Sequence, residues 1–535
     1  MKRLALCTLL LTLPALAAAP AEARTSIHPY LEVDQTVTGD LNGRDNDVVT
    51  YSGVTAGLDA TLDGAHVQGQ IDYQYDHYFS WSHKYSDTDV HQGLGVVTWQ
   101  PTQDLSLNAA GIATRANGGF GRRSAGFVNG DATNTNQIYS FEVGPSYATN
   151  FGDLAFNADY RFAWTRSSDG DDFDLGPGQP VLQNNFTTTD HMIDASIGTR
   201  PGGLGLPVGI KVSGGANRDE VHFLGARMDG YYGRVDATLP VSDSLALEAG
   251  AGYEKNRATS DQILTDAQGN AILDDKRHLQ ADHGKKRLLT YDQDGLIWDV
   301  GVLWRPSART TLEVRGGRRY GETVVTGRFQ HQISPDSSVE VVAYDDYTSF
   351  GRQLSSGIGA LPTSFNSFAP PIPTSLAGCV FGANGGQGGC LPALSSVNSN
   401  FYRARGVYVN WSKSRGLWQY GLGVGYERRH YIQPDFGPSL LNFVGANEQS
   451  VSIDGVAVRK LSPVSSIAFN ALATWDDDDS FGSSPYWVYG GAVSYYRGFT
   501  PHLSGSASIS ASSGSGDNRS NDVIGTGTIS IRYTM

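Results

Sequence analysis

The chain has 535 residues and a formal net charge of −14, with only 18% charged and 39% hydrophobic residues. Its 65 glycines, against the roughly 37 that average usage would give, weaken helices, and 26 tyrosines and nine tryptophans beside four methionines suit a sheet at an apolar–aqueous boundary rather than a helical enzyme. An acidic balance excludes nucleic-acid binding by bulk charge, and a mean hydropathy of −0.29 with no apolar run near 20 residues excludes a helical membrane protein while leaving a β-barrel open.

At the start of the chain, Lys2 and Arg3 precede an apolar stretch, Leu4–Leu16, too short to span a membrane, and Ala21-Glu22-Ala23 forms a small-x-small cleavage site. Residues 1–23 therefore read as a secretory signal peptide, with the mature chain starting at Arg24 and its formal charge moving from −14 to −15. Cys7 lies inside the apolar stretch rather than after it, which excludes a lipoprotein. Only Cys379 and Cys390 remain in the mature chain, and export places them in an oxidising compartment.

From there the signal is period-2 alternation, which puts successive side chains on opposite faces of a strand. Over His66–Trp81 one face holds Val67, Ile71, Tyr73, Tyr75, Phe79 and Trp81, and the other Gln68, Gln70, Asp72, Gln74 and Asp76. Leu154–Arg166 repeats this with Phe156, Tyr160, Phe162 and Trp164 against Asn157, Asp159 and Arg161, and Leu245–Glu254 with Leu247, Ala249 and Tyr253 against Glu248 and Glu254. These strands run about 10 to 16 residues, where a soluble globule uses 5 or 6 and a tilted membrane crossing needs about 9 to 11. Trp81, Trp164, Trp298, Trp304, Trp418, Trp475 and Trp487 fall near strand ends on the apolar face, as a girdle requires.

Connections alternate in length. Short turns at 63–65, 102–104, 152–153, 243–244, 306–309, 335–337, 414–416 and 462–464 are separated by longer polar stretches at 82–89, 119–135, 170–190, 262–292, 352–399, 434–449 and 477–484. The pattern gives 22 strands from Ile27 to Met535, with 20 as the alternative if Thr310–Gly321 and Glu322–Ile333 are not a true hairpin. The last strand turns Gly525, Gly527, Ile529, Ile531, Tyr533 and Met535 one way and Thr526, Thr528, Ser530, Arg532 and Thr534 the other. It is similar to the C-terminal strands read by barrel-assembly machinery, although Met535 stands where an aromatic residue is usual. The fold class is thus all-β: a single antiparallel up-and-down transmembrane β-barrel over 24–535, without a separate plug domain, and with long outer loops at 262–292 and 352–399.

The mature start Arg24-Thr-Ser-Ile-His-Pro-Tyr-Leu-Glu-Val, the segment Tyr51-Ser-Gly-Val-Thr-Ala-Gly-Leu-Asp-Ala and Gln70-Ile-Asp-Tyr-Gln-Tyr resemble the β-barrel porin 2 type of Gram-negative outer-membrane proteins, some of which accompany exopolysaccharide loci. The resemblance covers the mature chain and implies a barrel in the outer membrane, leaving its cargo open.

Chemistry-bearing groups are sparse. His331 shares its face with Val325, Phe329 and Ile333 and has no elbow-like serine nearby, so it reads as an interfacial histidine and not as a catalytic one. His278, His283 and Asp274-Asp275 match no metal-ligand spacing. Asp476, Asp477, Asp478 and Asp479 form a weak divalent-cation candidate weighed against a hydrated loop, and Lys285-Lys286-Arg287 a contact for anionic glycolipid weighed against ordinary loop charge. By inward parity the lumen is lined by Asp72, Asp76, Glu142, Asp159, Glu248, Glu254, Asp299 and Glu313 with Arg161, Lys211, Arg234, Arg305, Arg315, Arg319, Arg328, Arg429 and Arg532. Both signs together are tolerated in a water-filled channel, and the thickening of basic residues between Arg305 and Arg328 predicts a positive wall that favours anions locally.

Stretch 352–399 carries the apolar Phe365–Pro373 and the glycine-rich Cys379–Cys390, which a disulfide is expected to close. So apolar an outer loop is expected to fold back into the lumen or over its mouth. The function that follows is a passive outer-membrane channel for hydrophilic solutes. The alternatives are an outer-membrane component of exopolysaccharide secretion, suggested by the resemblance, and an outer-membrane hydrolase, disfavoured for want of a nucleophile constellation. No catalytic residue and no cofactor is expected. The expected partners are outer-membrane lipid and lipopolysaccharide, barrel-assembly machinery, and polysaccharide or small polar solutes.

Overall fold

The computed structural model describes residues 24–42, 48–81, 86–117, 135–168, 173–174, 181–182, 185–222, 224–268, 270–366, 378–432, 447–479, 485–516 and 523–535. The signal peptide read over 1–23 and most of the proline-rich stretch 365–373 lie outside these residues. Alternating faces drive the chain into long strands: β1 (Arg24–Asp40), β2 (Val48–Asp63), β3 (Val67–Ser80), β4 (Thr88–Trp99), β5 (Leu105–Asn117), β6 (Thr135–Phe151), β7 (Leu154–Ser168) and β8 (Phe186–Thr199). They continue with β9 (Gly209–Val221), β10 (Ala226–Ser242), β11 (Leu245–Ser260), β12 (Leu288–Ser307), β13 (Thr310–Arg319), β14 (Glu322–Ser334) and β15 (Ser337–Thr348). The last seven are β16 (Phe401–Arg415), β17 (Trp418–Ile432), β18 (Asn447–Ser462), β19 (Ser465–Asp478), β20 (Tyr486–Gly498), β21 (Leu503–Gly516) and β22 (Val523–Thr534).

The 22 strands form one sheet. Each pairs antiparallel with its neighbours in sequence, and β1 pairs with β22 from Tyr30 opposite Thr534 to Asp40 opposite Ile524, which closes the ring and leaves no open edge. The Met535 amide donates to the Pro29 carbonyl at 2.9 Å, so the last residue meets β1 near the short-turn rim. The outward face carries the apolar residues bare: Ile193, Leu296, Val300, Ile509, Ile529 and Ile531 are exposed, with Trp81, Trp298, Trp304 and Trp487 among the aromatic residues beside them. A closed antiparallel wall with an apolar band outside and polar groups inside is the form of an outer-membrane barrel.

The doubtful hairpin is real. Tyr320 and Gly321 join β13 to β14 at φ 57° and 73°, the left-handed pair of a type I′ turn that matches strand twist. Two expected loop boundaries move. The stretch 262–292 contracts to 261–287, because β12 begins at Leu288. The stretch 352–399 becomes 349–400 and opens with a helix that period-2 alternation does not reveal, α1 (Phe350–Gly359). Ser349 caps it by accepting the Arg352 amide at 3.1 Å.

Candidate functional site

The connection between β15 and β16 folds back into the barrel. Helix α1 lies against the inner faces of β5, β6, β7 and β8, where Phe350, Leu354 and Ile358 are buried with Ala116, Ile138, Phe186 and Val221 of the wall and with Leu391, Leu394 and Val397 farther along the loop. The Phe365 amide then donates to Gln70 Oε1 of β3 at 3.0 Å. A short hairpin follows, Cys379–Val380 pairing with Gly389–Cys390, closed by the expected Cys379–Cys390 disulfide. This hairpin is seated on β17, whose inward positions there are glycines. A Cβ at Gly423 would stand 2.3 Å from Cys379 Sγ and one at Gly421 2.4 Å from the Phe381 ring, so no larger side chain fits beneath the hairpin. Beyond it the Ser338 hydroxyl donates to the Gly385 carbonyl at 3.0 Å, and Gly385 packs on the Asp336 carbonyl of the β14–β15 turn. The loop thus runs the height of the lumen, from the outer mouth to the short-turn rim.

Buried polar groups of the wall hold it there. Arg429 on β17 is 1% exposed and donates to the carbonyls of Ser396 at 2.6 Å, Pro392 at 3.1 Å and Ala393 at 3.2 Å, while its Nε meets Glu427 Oε1 at 2.5 Å. Glu427 also accepts the Tyr344 hydroxyl at 2.6 Å and the Gln353 amide of α1. Asn410 of β16 donates to the Val380 carbonyl at 3.1 Å. At the start of the helix, Arg352 lies 3.2 Å from Asp219 and 3.7 Å from Asp346, with Asp190 opposite Asp219 across β8 and β9.

The expected lumen residues fall on the inner wall, but their company differs from the expectation. Arg315 is met by Asp236 at 3.0 Å, Glu248 at 2.8 Å, Asp299 at 3.2 Å and Glu313 at 3.0 Å. Arg234 is met by Asp236 at 2.6 Å and Asp299 at 2.8 Å. Arg319 pairs with Glu254 at 2.7 Å and Arg328 with Glu340 at 2.6 Å. The predicted positive wall is therefore corrected: register brings carboxylates from neighbouring strands onto each of these guanidiniums. Arg305 stands exposed near the β12–β13 turn and Lys211 exposed on β9. Asp159 is opposite Asp194 across β7 and β8, with Arg161 two positions on. Glu142 lies under the last turn of α1, so close to Gly359 that a Cβ there would touch its carboxylate. Asp72 faces Asp59 across β2 and β3, and Asp76 accepts the Thr55 hydroxyl at 2.5 Å. Arg429 is an anchor for the loop, not a channel-lining charge.

The weaker candidates dissolve on geometry. β19 continues through Asp478, so Asp476 and Asp478 face opposite to Asp477, and Asp479 is spent accepting the Asn447 amide at 2.8 Å. Asp274, in the outer loop, accepts the amides of His278 and Lys276 at 2.8 Å, and those hydrogen bonds hold its carboxyl below the ordinary carboxylate range. His283 lies 3.0 Å from Asp261 instead of joining His278. Among the described residues no group of three or more metal-ligating side chains converges. Lys285 pairs with Asp282 at 3.3 Å and Arg287 with Asp261 at 2.7 Å, which occupies two of the three basic groups of that run. His331 accepts or donates to the Thr310 hydroxyl at 2.8 Å and stacks on Phe329, an interfacial arrangement.

On the arc from β21 through β22 to β1, the wall is of another kind. The inward positions of β21 and β22 include Ser504, Ser506, Ser508, Ser510, Ser512, Thr526, Thr528 and Ser530, continued on β1 by Thr36 and Thr38. They bond one another across strands, Ser506 to Ser530 at 2.7 Å, Thr36 to Thr528 at 2.9 Å and Thr38 to Thr526 at 3.2 Å. Ser508, Ser510, Thr526 and Thr528 are part-exposed, and the loop's buried apolar cluster includes no residue of these three strands.

No family model matches the chain, and no curated protein matches it. Among solved structures, the chain is similar to the ferric-catecholate import receptor Fiu of Escherichia coli K12 in its closed form, at 7% identity and a TM-score of 0.42, over 94% of this chain and 81% of that one. It is similar to the FrpB iron transporter of Neisseria meningitidis at 11% identity and a TM-score of 0.42, over 95% and 81%. The alcaligin outer-membrane receptor FauA of Bordetella pertussis gives 9% identity and a TM-score of 0.40, over 94% and 76%. At that level of similarity none of these proteins' ligands is carried over to this chain.

Proposed function

We propose that the protein is an outer-membrane conduit for hydrophilic solutes, partly occluded by its own 349–400 loop. The observation that carries this reading is the partition of the lumen: the loop fills the side of β5–β8 and β15–β17, while β21, β22 and β1 present a ladder of small hydroxyls to the remaining space. A wall of hydroxyls offers donors and acceptors to a hydrated or polyhydroxylated solute without binding it tightly, which is what passage requires. Lipid and lipopolysaccharide surround such a barrel, and barrel-assembly machinery inserts it. Passage of a polysaccharide would need the loop to leave the lumen, so the smaller solutes are favoured.

The test is planar-bilayer conductance of the mature protein beside a variant lacking residues 355–395. Conducting events whose unit step grows on deletion support the reading. Equal steps in the two proteins would show that the loop obstructs nothing, and silence from both would sink the conduit.

A further inference from the structure

On the arc from β18 through β22 to β3, most of which the loop leaves uncovered, the inward charge is predominantly acidic. Inward positions of β1, β2 and β3 hold Glu32, Asp34, Asp59, Asp72 and Asp76, and β18 adds Asp454. Asp59 and Asp72 stand directly opposite each other in register, and the Asp59 side chain is 46% exposed. The arginine among them, Arg532, is held 2.6 Å from Glu32, 3.8 Å from Asp59 and 3.8 Å over the Tyr30 ring. It neutralises part of the excess and projects little positive field of its own. Lys460 lies near the short-turn end of β18, and β19, β20 and β21 contribute no inward lysine or arginine. On the far wall Arg234, Arg315, Arg319 and Arg328 are each met by carboxylates, as described above, and send little compensating field across, while Arg305 stands exposed near the short-turn rim.

Like charges that line a narrow aqueous passage between low-dielectric walls add their potentials instead of screening one another away. We propose that this arc makes the lumen electronegative, so that the conduit prefers cationic and neutral solutes and turns back anions, with Asp34, Asp59 and Asp72 as the residues that set the preference. The inference rests on the conduit reading and deepens it by naming the class of solute. It reverses the anion preference that counting basic residues along the chain would give.

Two measurements test it separately from that reading. In bilayers of neutral lipid under a KCl gradient, the reversal potential of the full mature chain should report potassium several-fold more permeant than chloride. The ratio should fall towards parity in the Asp34→Asn/Asp59→Asn/Asp72→Asn variant, whose side chains keep their size. The second measurement does not need current. Thr528→Cys places a thiol on the hydroxyl ladder, beside Thr36 and hence near Asp34, and the native cysteines are bonded to each other. Its labelling by a trimethylammonium-bearing methanethiosulfonate should outpace labelling by the sulfonate-bearing reagent several-fold more than for a free thiol, and the bias should vanish in the triple-Asn background. Absent conductance with that bias intact would end the conduit reading and leave the charge assignment standing. Chloride preference, or a labelling ratio equal to that of a free thiol, would overturn the proposal.

Discussion

Replacing Arg429 by Met should release the loop without unfolding the barrel. The side chain is fully inside, and its guanidinium supplies hydrogen bonds to three carbonyls of residues 392–396 as well as the ion pair to Glu427. Removing one member of a buried pair costs about 3 to 5 kcal/mol, because the other charge is left uncompensated. Here Glu427 keeps donors from Tyr344 and Gln353, which places the penalty near the lower end, about 3 kcal/mol. At 1.4 kcal/mol per tenfold, that raises the ratio of displaced to seated loop by about 100-fold. The wall strands retain their ladders, so heat-modifiable gel mobility should be unchanged while bilayer recordings show larger steps far more often. The double variant Glu427→Gln/Arg429→Met, which leaves no buried charge behind, should recover part of the loss. Recordings from the single variant that match those of the parent protein would refute the anchoring argument.

Gly423→Val sets a side chain where Cys379 Sγ now sits and should expel the hairpin, seen as faster reduction of the Cys379–Cys390 bridge by a bulky phosphine. Cys379→Ser removes a cross-link worth about 2 to 3 kcal/mol for a ring of this size, which restrains the loop alone, so the far-UV spectrum in detergent should stay strand-dominated and melt as before. Ile71→Arg turns a cation towards lipid at a cost of about 2 to 4 kcal/mol and should lower the amount of assembled barrel, whereas Asp72→Arg, opposite Asp59 in the lumen, should not; the reverse pair of outcomes would mean that β3 is out of register by one residue.

The wall was legible because a strand's side-chain period is two residues, so each segment declares its own lipid and lumen faces without reference to its neighbours. The faces read for β3, β7, β11 and β22 are those of the structure, down to Ile529, Ile531 and Tyr533 outward and Thr528, Ser530 and Arg532 inward. Ion pairing was not legible in that way. Arg315 meets Asp236, 79 residues earlier, and Arg403 meets Glu322, 81 residues earlier, and only register decides such partners. Counting arginines between 305 and 328 therefore missed the acids that β10, β11 and β12 bring to them. Two signals of the folded-in loop were present. Ser349 ahead of Phe350, Leu354 and Ile358 is a capped helical stripe, and Gly421, Gly423 and Gly425 on the inward face of β17 mark where something approaches the wall closely.

The same wall also says where the loop must sit. A lumen filled with water everywhere would wet the inward apolar residues Ala116, Ile138, Val221, Met228 and Ala258, which the structure buries under Phe350, Leu354, Ile358, Leu391 and Leu394. Neither set has another surface to meet, since the outer face of each strand is already given to lipid and the outer mouth to water. The apolar loop and the apolar patch are two halves of one core, and their burial favours the seated position at about 25 cal/mol per Å² of area removed from water. On β21, β22 and β1 the inward positions are hydroxyls, carboxylates and one guanidinium, which an apolar segment could cover only by stripping them of water. Composition thus confines the loop to one side of the lumen, and the uncovered side is the one whose carboxylates and hydroxyls a passing solute would meet.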